Sequence, residues 1–72
     1  MNIATHANVV LHGGPSSLGW QERVRHTDDL TEKIKVLLGN RYEHFEPTSQ
    51  IDSSFGRDLI VYVWNGCTYV AE

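Results

Sequence analysis

The longest hydrophobic pattern lies at the C-terminal end of the chain, where apolar residues flank an Asn-Gly pair on both sides. Leu59 to Trp64 and Cys67 to Ala71 predict two strands, and Asn65-Gly66 suits the type I′ turn of a hairpin. This register would place Tyr62 opposite Tyr69. Because both faces of such a hairpin are apolar, we expect both to be covered, by a curled sheet or by a second subunit.

Two further strands are predicted in the N-terminal half. Asn8 to His12 is a short run rich in β-branched residues, and Gly13-Gly14-Pro15 forces a loop directly after it. Trp20 to Thr27 has the alternating pattern of a half-buried strand, with Trp20 and Val24 as its apolar members.

The segment from Asp28 to Leu38 allows two interpretations. As a helix, it has acidic residues in its first turn, an apolar stripe, and Gly39-Asn40 at its end. As a strand, it alternates apolar residues with lysines towards its end. Gly39-Asn40 then becomes the turn of a hairpin whose second strand is Arg41 to Glu46. We favour the strand because Ile34 and Val36 are β-branched and spaced at period two.

These elements predict one small domain over residues 1–72 with a mostly β fold. We expect a small antiparallel sheet or half-barrel of about five to six strands that ends in the Asn-Gly hairpin. An α+β fold with one helix over Asp28 to Leu38 is the alternative. A chain of 72 residues has a small core, and its single cysteine, Cys67, rules out an internal disulfide. Association with a second copy is then the most natural way to stabilise so small a domain, and we expect a homodimer.

Charge and hydropathy narrow the class of partner. The net charge is -3, and the six basic residues alternate with acids along the chain, so we expect no nucleic-acid binding. No segment has the apolar length of a membrane span or of a signal peptide, so we expect no membrane partner. A lone cysteine agrees with the reducing cytoplasm.

The stretch "RYEHFEPT" holds the candidate catalytic residues. Strand alternation would place Tyr42, His44 and Glu46 on one face. It would place Arg41, Glu43 and Phe45 on the other. A histidine beside a carboxylate has its pKa in the range that suits general acid/base catalysis, and a tyrosine can stabilise developing charge. The candidate catalytic residues are His44, Tyr42, Glu46 and Glu43. The alternative is structural: Phe45 lies in the core, the glutamates and Arg41 lie in solvent, and His44 forms a hydrogen bond with a neighbouring strand.

The C-terminal aromatics are the candidate ligand-binding residues. Trp64, Tyr62 and Tyr69 would share one face of the hairpin and could line a pocket for a flat apolar ligand or anchor a partner protein. The histidines and Cys67 lack the short spacing of a zinc motif, so we expect no metal. The loop "HGGPSS" lacks the Gly-Lys-Ser/Thr ending of a phosphate-binding loop, and we expect no cofactor.

Three blocks, "VVLHGGP", "NRYEHFEPT" and "VYVWNGCTYVAE", resemble those of a family of short, mainly actinobacterial proteins of unknown function. The resemblance runs from about Asn8 to Glu72. It implies that the following residues occupy motif positions: Gly13, Gly14, Pro15, Tyr42, Glu43, His44, Phe45, Trp64, Thr68, Ala71 and Glu72. It implies no catalytic residue, and its organism range suggests a role in specialised metabolism.

We therefore expect a small binding or accessory module for a protein or small-molecule partner. The alternative is a cofactor-independent acid/base enzyme of the isomerase, cyclase or lyase type, with His44 as the base.

Overall fold

The computed structural model describes residues 6–70, which form one five-stranded sheet and a single helical turn. Ala71 and Glu72, two of the motif positions, lie outside the described residues. The elements in chain order are β1 (Val9–His12), α1 (Trp20–Arg23), β2 (Val24–Arg25), β3 (Ile34–Leu38), β4 (Arg41–Asp52) and β5 (Leu59–Tyr69). A mostly β fold of about five strands is thus confirmed.

The sheet is open and mixed, with strand order β2-β1-β5-β4-β3. β1 runs parallel to β5, and the other neighbours are antiparallel. The sheet is therefore mostly antiparallel, with one parallel pair that the sequence pattern did not indicate. The C-terminal strand β5 lies at the centre because it is the longest apolar run, and β1 pairs with its first half.

The predicted Asn65-Gly66 hairpin was wrong. β5 continues through this pair as one strand of 11 residues, because β4 is long enough to bond both halves of β5. His44 pairs with Gly66 and Phe45 pairs with Trp64, which leaves Asn65 as the extra residue of a β-bulge. Gly66 has a φ of 122°, so the conformational freedom that suggested a turn serves the bulge.

A tight hairpin forms instead at Gly39-Asn40, which joins β3 to β4. The strand interpretation of Ile34–Leu38 is confirmed, and the helix over Asp28 to Leu38 does not form. The strand predicted over Trp20 to Thr27 was only partly right, because Trp20–Arg23 is a helical turn and β2 is two residues long.

The strands bury apolar side chains on both sides of the sheet, as predicted. The front face carries one core cluster, Val9, Leu11, Leu18, Val36, Phe45 and Tyr62. The back face carries the other, Ala7, Val10, Val24, Leu59 and Val61. Alternation along β1 and β5 assigns these two clusters to opposite faces. Within the described range, no helix is long and apolar enough to cross a membrane.

Candidate ligand-binding cleft

The β-bulge in β5 shapes a cleft on the front face of the sheet. Asn65 adds one residue, so Trp64 and Cys67 both project to the front although they are three positions apart. Cys67 lies opposite Glu43 of β4. The open cleft has a volume of about 420 Å³, and its lining residues are Gly14, Pro15, Arg41, Glu43, Trp64 and Cys67.

The floor of the cleft is a buried carboxylate. The Glu43 side chain is 1% exposed and is held from two directions. Its Oε1 accepts a 2.7 Å hydrogen bond from the indole Nε1–H of Trp64, and its Oε2 lies 2.5 Å from Nε of Arg41. A buried carboxylate needs such partners because the loss of water otherwise favours its neutral form. The two contacts therefore fix Glu43, Arg41 and Trp64 relative to one another.

The Arg41 side chain is 35% exposed and forms the outer end of this ion pair. Its pKa is raised above the ordinary arginine value, first by a hydrogen bond with the Tyr69 side chain and then by Glu43. Tyr69 lies opposite Arg41 in the β4–β5 register, which brings its hydroxyl within reach of the guanidinium. The guanidinium thus lies between a carboxylate and a phenol.

The indole of Trp64 also packs against the loop after β1. A Cβ atom added to Gly14 would lie 2.9 Å from Cδ1 of Trp64, and one added to Gly13 would lie 3.2 Å from Cβ of Trp64. Gly14 has a φ of 80°, a conformation that favours glycine. Only glycine therefore allows the loop to approach Trp64 this closely without strain. Trp64 nevertheless remains 44% exposed.

Arg23 of α1 holds this loop in place. Its guanidinium donates four hydrogen bonds of 2.7 to 3.1 Å to backbone carbonyls, those of Leu11, Gly13, Pro15 and Leu18. All four acceptors belong to the end of β1 or the loop that follows it. This role was not predicted, because no local sequence pattern indicates a contact between an arginine and carbonyls 5 to 12 positions away.

Three of the four candidate catalytic residues lie on the opposite side of the sheet from this cleft. Tyr42, His44 and Glu46 share the back face, as alternation predicted, and Glu43 points to the front. Nε2 of His44 lies 2.6 Å from the hydroxyl of Thr68, and its buried Nδ1 has no hydrogen-bond partner among the described residues. The structure thus separates His44 from Glu43 and pairs it with a hydroxyl.

The other candidate catalytic side chains have their own neighbours on the back face. Glu46 accepts a hydrogen bond from the side-chain amide of Asn65, and Nζ of Lys35 lies 5.9 Å from the ring centroid of Tyr42. Neither contact involves His44, so the structure does not join the three side chains in one hydrogen-bonded cluster.

The three candidate ligand-binding aromatics have different surroundings. Trp64 lines the cleft, and Tyr69 lies beside Arg41 at its edge. Tyr62 is fully buried in the front core, where burial raises the pKa of its hydroxyl. Within residues 6–70, no group of three or more metal-ligating side chains is close enough together to hold a metal ion.

The cleft unites the three sequence blocks, since its walls come from the glycine loop, the start of β4 and the second half of β5. A family model described as a family of unknown function, DUF5988, matches residues 3–72. The chain belongs to the DUF5988 family. No curated protein and no solved structure matches the chain. For this DUF5988 member, the cleft is the feature from which a function can be argued.

Proposed function

We propose that this protein is a small binding module and that the cleft over Glu43 is its ligand site. The observation that supports this proposal is the fixed but exposed indole of Trp64. One side of the indole packs on the glycine loop, its N–H is bonded to Glu43, and 44% of the residue remains open to solvent. Exposed aromatic anchors held in one orientation are typical of binding sites, because little entropy is lost when a partner docks.

The buried ion pair supports the same proposal. A buried salt bridge contributes little net stability, and apolar residues of similar volume often stabilise a core as well or better. Glu43 and Arg41 instead determine where the indole of Trp64 points, through the bond to its N–H. We infer that the pair serves to orient the ligand site.

The acid/base alternative receives less support from the geometry. His44 contacts Thr68 rather than a carboxylate, and it does not line the cleft. General acid/base catalysis by a histidine needs a substrate position within hydrogen-bond reach of the ring and a group that sets its tautomer. We therefore place the ligand site on the front face and propose a binding role. As its setting we propose the cytoplasm, which the lone cysteine supports, and specialised metabolism, which the sequence resemblance supports.

The ligand site can be tested by NMR with a panel of indole and phenyl compounds of positive, negative and zero charge. We expect the indole N–H resonance of Trp64 to shift on titration, together with the amide of Gly14. Trp20 is a matched control, because it is 58% exposed, packs edge-on against Phe55 and does not line the cleft. Its indole resonance should stay in place.

Matched variants complete this test. Trp64→Phe should weaken binding of the best compound at least roughly tenfold, in the range seen for anchor residues, and Trp20→Phe should leave it unchanged. Equal shifts at the two indoles, or no shift at Trp64 with any compound, would contradict the proposal.

We further propose that the protein self-associates through the free edge of β3. β3 is the last strand of the sheet and pairs only with β4 among the described strands. Antiparallel pairing of two copies about Val36 would place Leu37 beside Lys35 of the partner copy, so like charges would not face each other. Leu37 is 56% exposed and would then be covered. A small domain with an uncovered edge strand gains stability from such pairing.

Sedimentation equilibrium at micromolar concentration tests the dimer. We expect twice the 8.2 kDa mass of one chain. Leu37→Lys should raise the dissociation constant by about tenfold or more, since burial of a leucine side chain contributes about 1.5 to 3 kcal/mol. Leu30 is the matched control, because it is a leucine of similar exposure, 45%, outside the strands. A monomer at all concentrations, or equal effects of Leu37→Lys and Leu30→Lys, would exclude this interface.

A further inference from the structure

The ion pair at the floor of the cleft is asymmetric in its exposure. The carboxylate of Glu43 is almost completely covered, whereas about a third of Arg41 is exposed at the wall of the cleft. A ligand that enters the cleft therefore meets the positive end of the pair first. The negative end is already bonded to Nε1–H of Trp64 and to Nε of Arg41.

Arg41 has hydrogen-bonding capacity left for a ligand. A guanidinium carries five N–H groups, and the contact with Glu43 is made through Nε, so the four N–H groups of the two Nη atoms are more than the hydroxyl of Tyr69 alone can use. Tyr69 lies on one side of the guanidinium. The planar fork of an arginine matches a carboxylate in a bidentate arrangement, and such charge-assisted bonds are about twice as strong as neutral ones.

The remaining walls of the cleft are apolar and flat. Trp64 presents its indole, and Pro15 and the backbone of Gly14 form the side contributed by the loop. The volume of about 420 Å³ lies within the range of small-molecule sites. A flat ring of one or two cycles is the group that such walls accommodate best.

We propose that the cleft recognises a carboxylate attached to a flat apolar group, with the carboxylate on the Nη atoms of Arg41 and the ring between Trp64 and Pro15. This inference rests on the proposed ligand site and specifies the class of its ligand. The same chemistry is offered by a free aromatic acid and by the C-terminal carboxylate of a peptide that ends in an aromatic residue.

Three indole probes separate charge from shape: indole-3-acetate, its isostere indole-3-acetamide, and the cationic tryptamine. We expect indole-3-acetate to bind the full chain about tenfold or more tightly than the acetamide, the factor that about 1.5 kcal/mol of charge-assisted hydrogen bonding gives. Tryptamine should bind weakest, and added salt should weaken binding of the acetate alone. Equal affinity for acetate and acetamide would overturn the carboxylate preference and leave the ligand site standing. If none of the three shifts the Trp64 resonance, the carboxylate proposal fails, and the ligand site fails with it only when the wider panel of indole and phenyl compounds also leaves that resonance in place.

Variants of the ion pair give a second readout. The double variant Arg41→Gln with Glu43→Gln keeps neutral hydrogen-bonding groups at both positions, and it should bind acetate and acetamide equally. Arg25→Gln is the matched control, because Arg25 lies on the edge strand β2, away from the cleft, and should keep the preference. An unchanged preference in the double variant would contradict the proposal, and if that variant does not fold, the three probes on the natural chain still decide it.

Two peptides test whether the cleft binds the C-terminal carboxylate of a peptide or only small aromatic acids. N-acetyl-Gly-Gly-Trp with a free C-terminus is compared with its C-terminal amide. A preference for the free acid of the same size as for indole-3-acetate would assign the site to peptide termini as well as small acids. Binding of indole-3-acetate without binding of the free-acid peptide would restrict it to small aromatic acids.

Discussion

Glu43→Ala is expected to lower the free energy of unfolding by about 3 kcal/mol, the low end of the range for removal of one partner of a buried ion pair. The substitution leaves the indole N–H of Trp64 and the guanidinium of Arg41 without their shared acceptor. We choose the low end because Arg41 is about one third exposed and can turn to water. Urea denaturation followed by circular dichroism measures this change through the transition midpoint.

Two control variants show how much of this loss of stability comes from the buried carboxylate itself. One keeps the side-chain volume, and the other removes a glutamate from the surface. Glu43→Gln keeps an acceptor for Trp64 and the side-chain volume, so its cost should be smaller than that of alanine. Glu32→Ala removes an exposed glutamate from the loop between β2 and β3, and its effect should stay within about 0.5 kcal/mol. A cost for Glu43→Ala as small as that for Glu32→Ala would show that the buried contacts contribute nothing.

Gly14→Ala should lower the free energy of unfolding by roughly 2 to 3 kcal/mol, for two reasons. A non-glycine residue at a φ of 80° is strained by about 1 to 2 kcal/mol. The added Cβ would lie 2.9 Å from Cδ1 of Trp64 and 3.3 Å from Cζ of Phe45, so the indole must shift. Thermal or urea unfolding gives the total cost, and the indole N–H resonance of Trp64 should move in the folded protein.

Gly39 provides the matched control for this substitution. It also has a positive φ, 68°, but a Cβ added there meets no atom within 4 Å. Gly39→Ala should therefore show the backbone strain alone and leave the Trp64 resonance unchanged. Equal losses of unfolding free energy for the two substitutions would contradict the close packing of the loop against Trp64.

Local patterns in the sequence predicted most of the strands. Alternation in Ile34–Leu38 and the β-branched run at Val9–His12 report a strand through side chains two positions apart, and the structure has both. The turn at Gly39-Asn40 followed from the same logic. What these patterns could not supply was the partner of each strand, because the parallel pairing of β1 with β5 joins residues about fifty positions apart.

The wrong prediction of a hairpin at Asn65-Gly66 shows that turn-forming residues alone do not determine whether a turn forms. A glycine with positive φ is required by a type I′ turn and is accepted by a bulge within a continuous strand. The choice between them depends on whether another strand is long enough to bond both sides, and β4 is. That information lies in a different part of the chain.

The candidate site was predicted in part. Alternation assigned Glu43 to the face of Phe45, and the structure places both there, but the solvated alternative for the glutamates missed that Glu43 is buried. A carboxylate that shares a face with a core phenylalanine is the pattern that could have indicated this. The roles of Arg23 and of Gly14 arise from contacts between distant segments and leave no local pattern.

The parallel pairing of β1 with β5 also determines when the cleft can exist. Formation of this pair closes a loop of about fifty of the 72 residues, a contact of the kind that slows folding because the closure entropy is lost before the contact is made. Gly14 and Trp64, on the two sides of the cleft, flank this same closure. A nascent chain therefore lacks the cleft until β5 has joined the sheet, and under the proposed function the ability to bind coincides with completion of the fold.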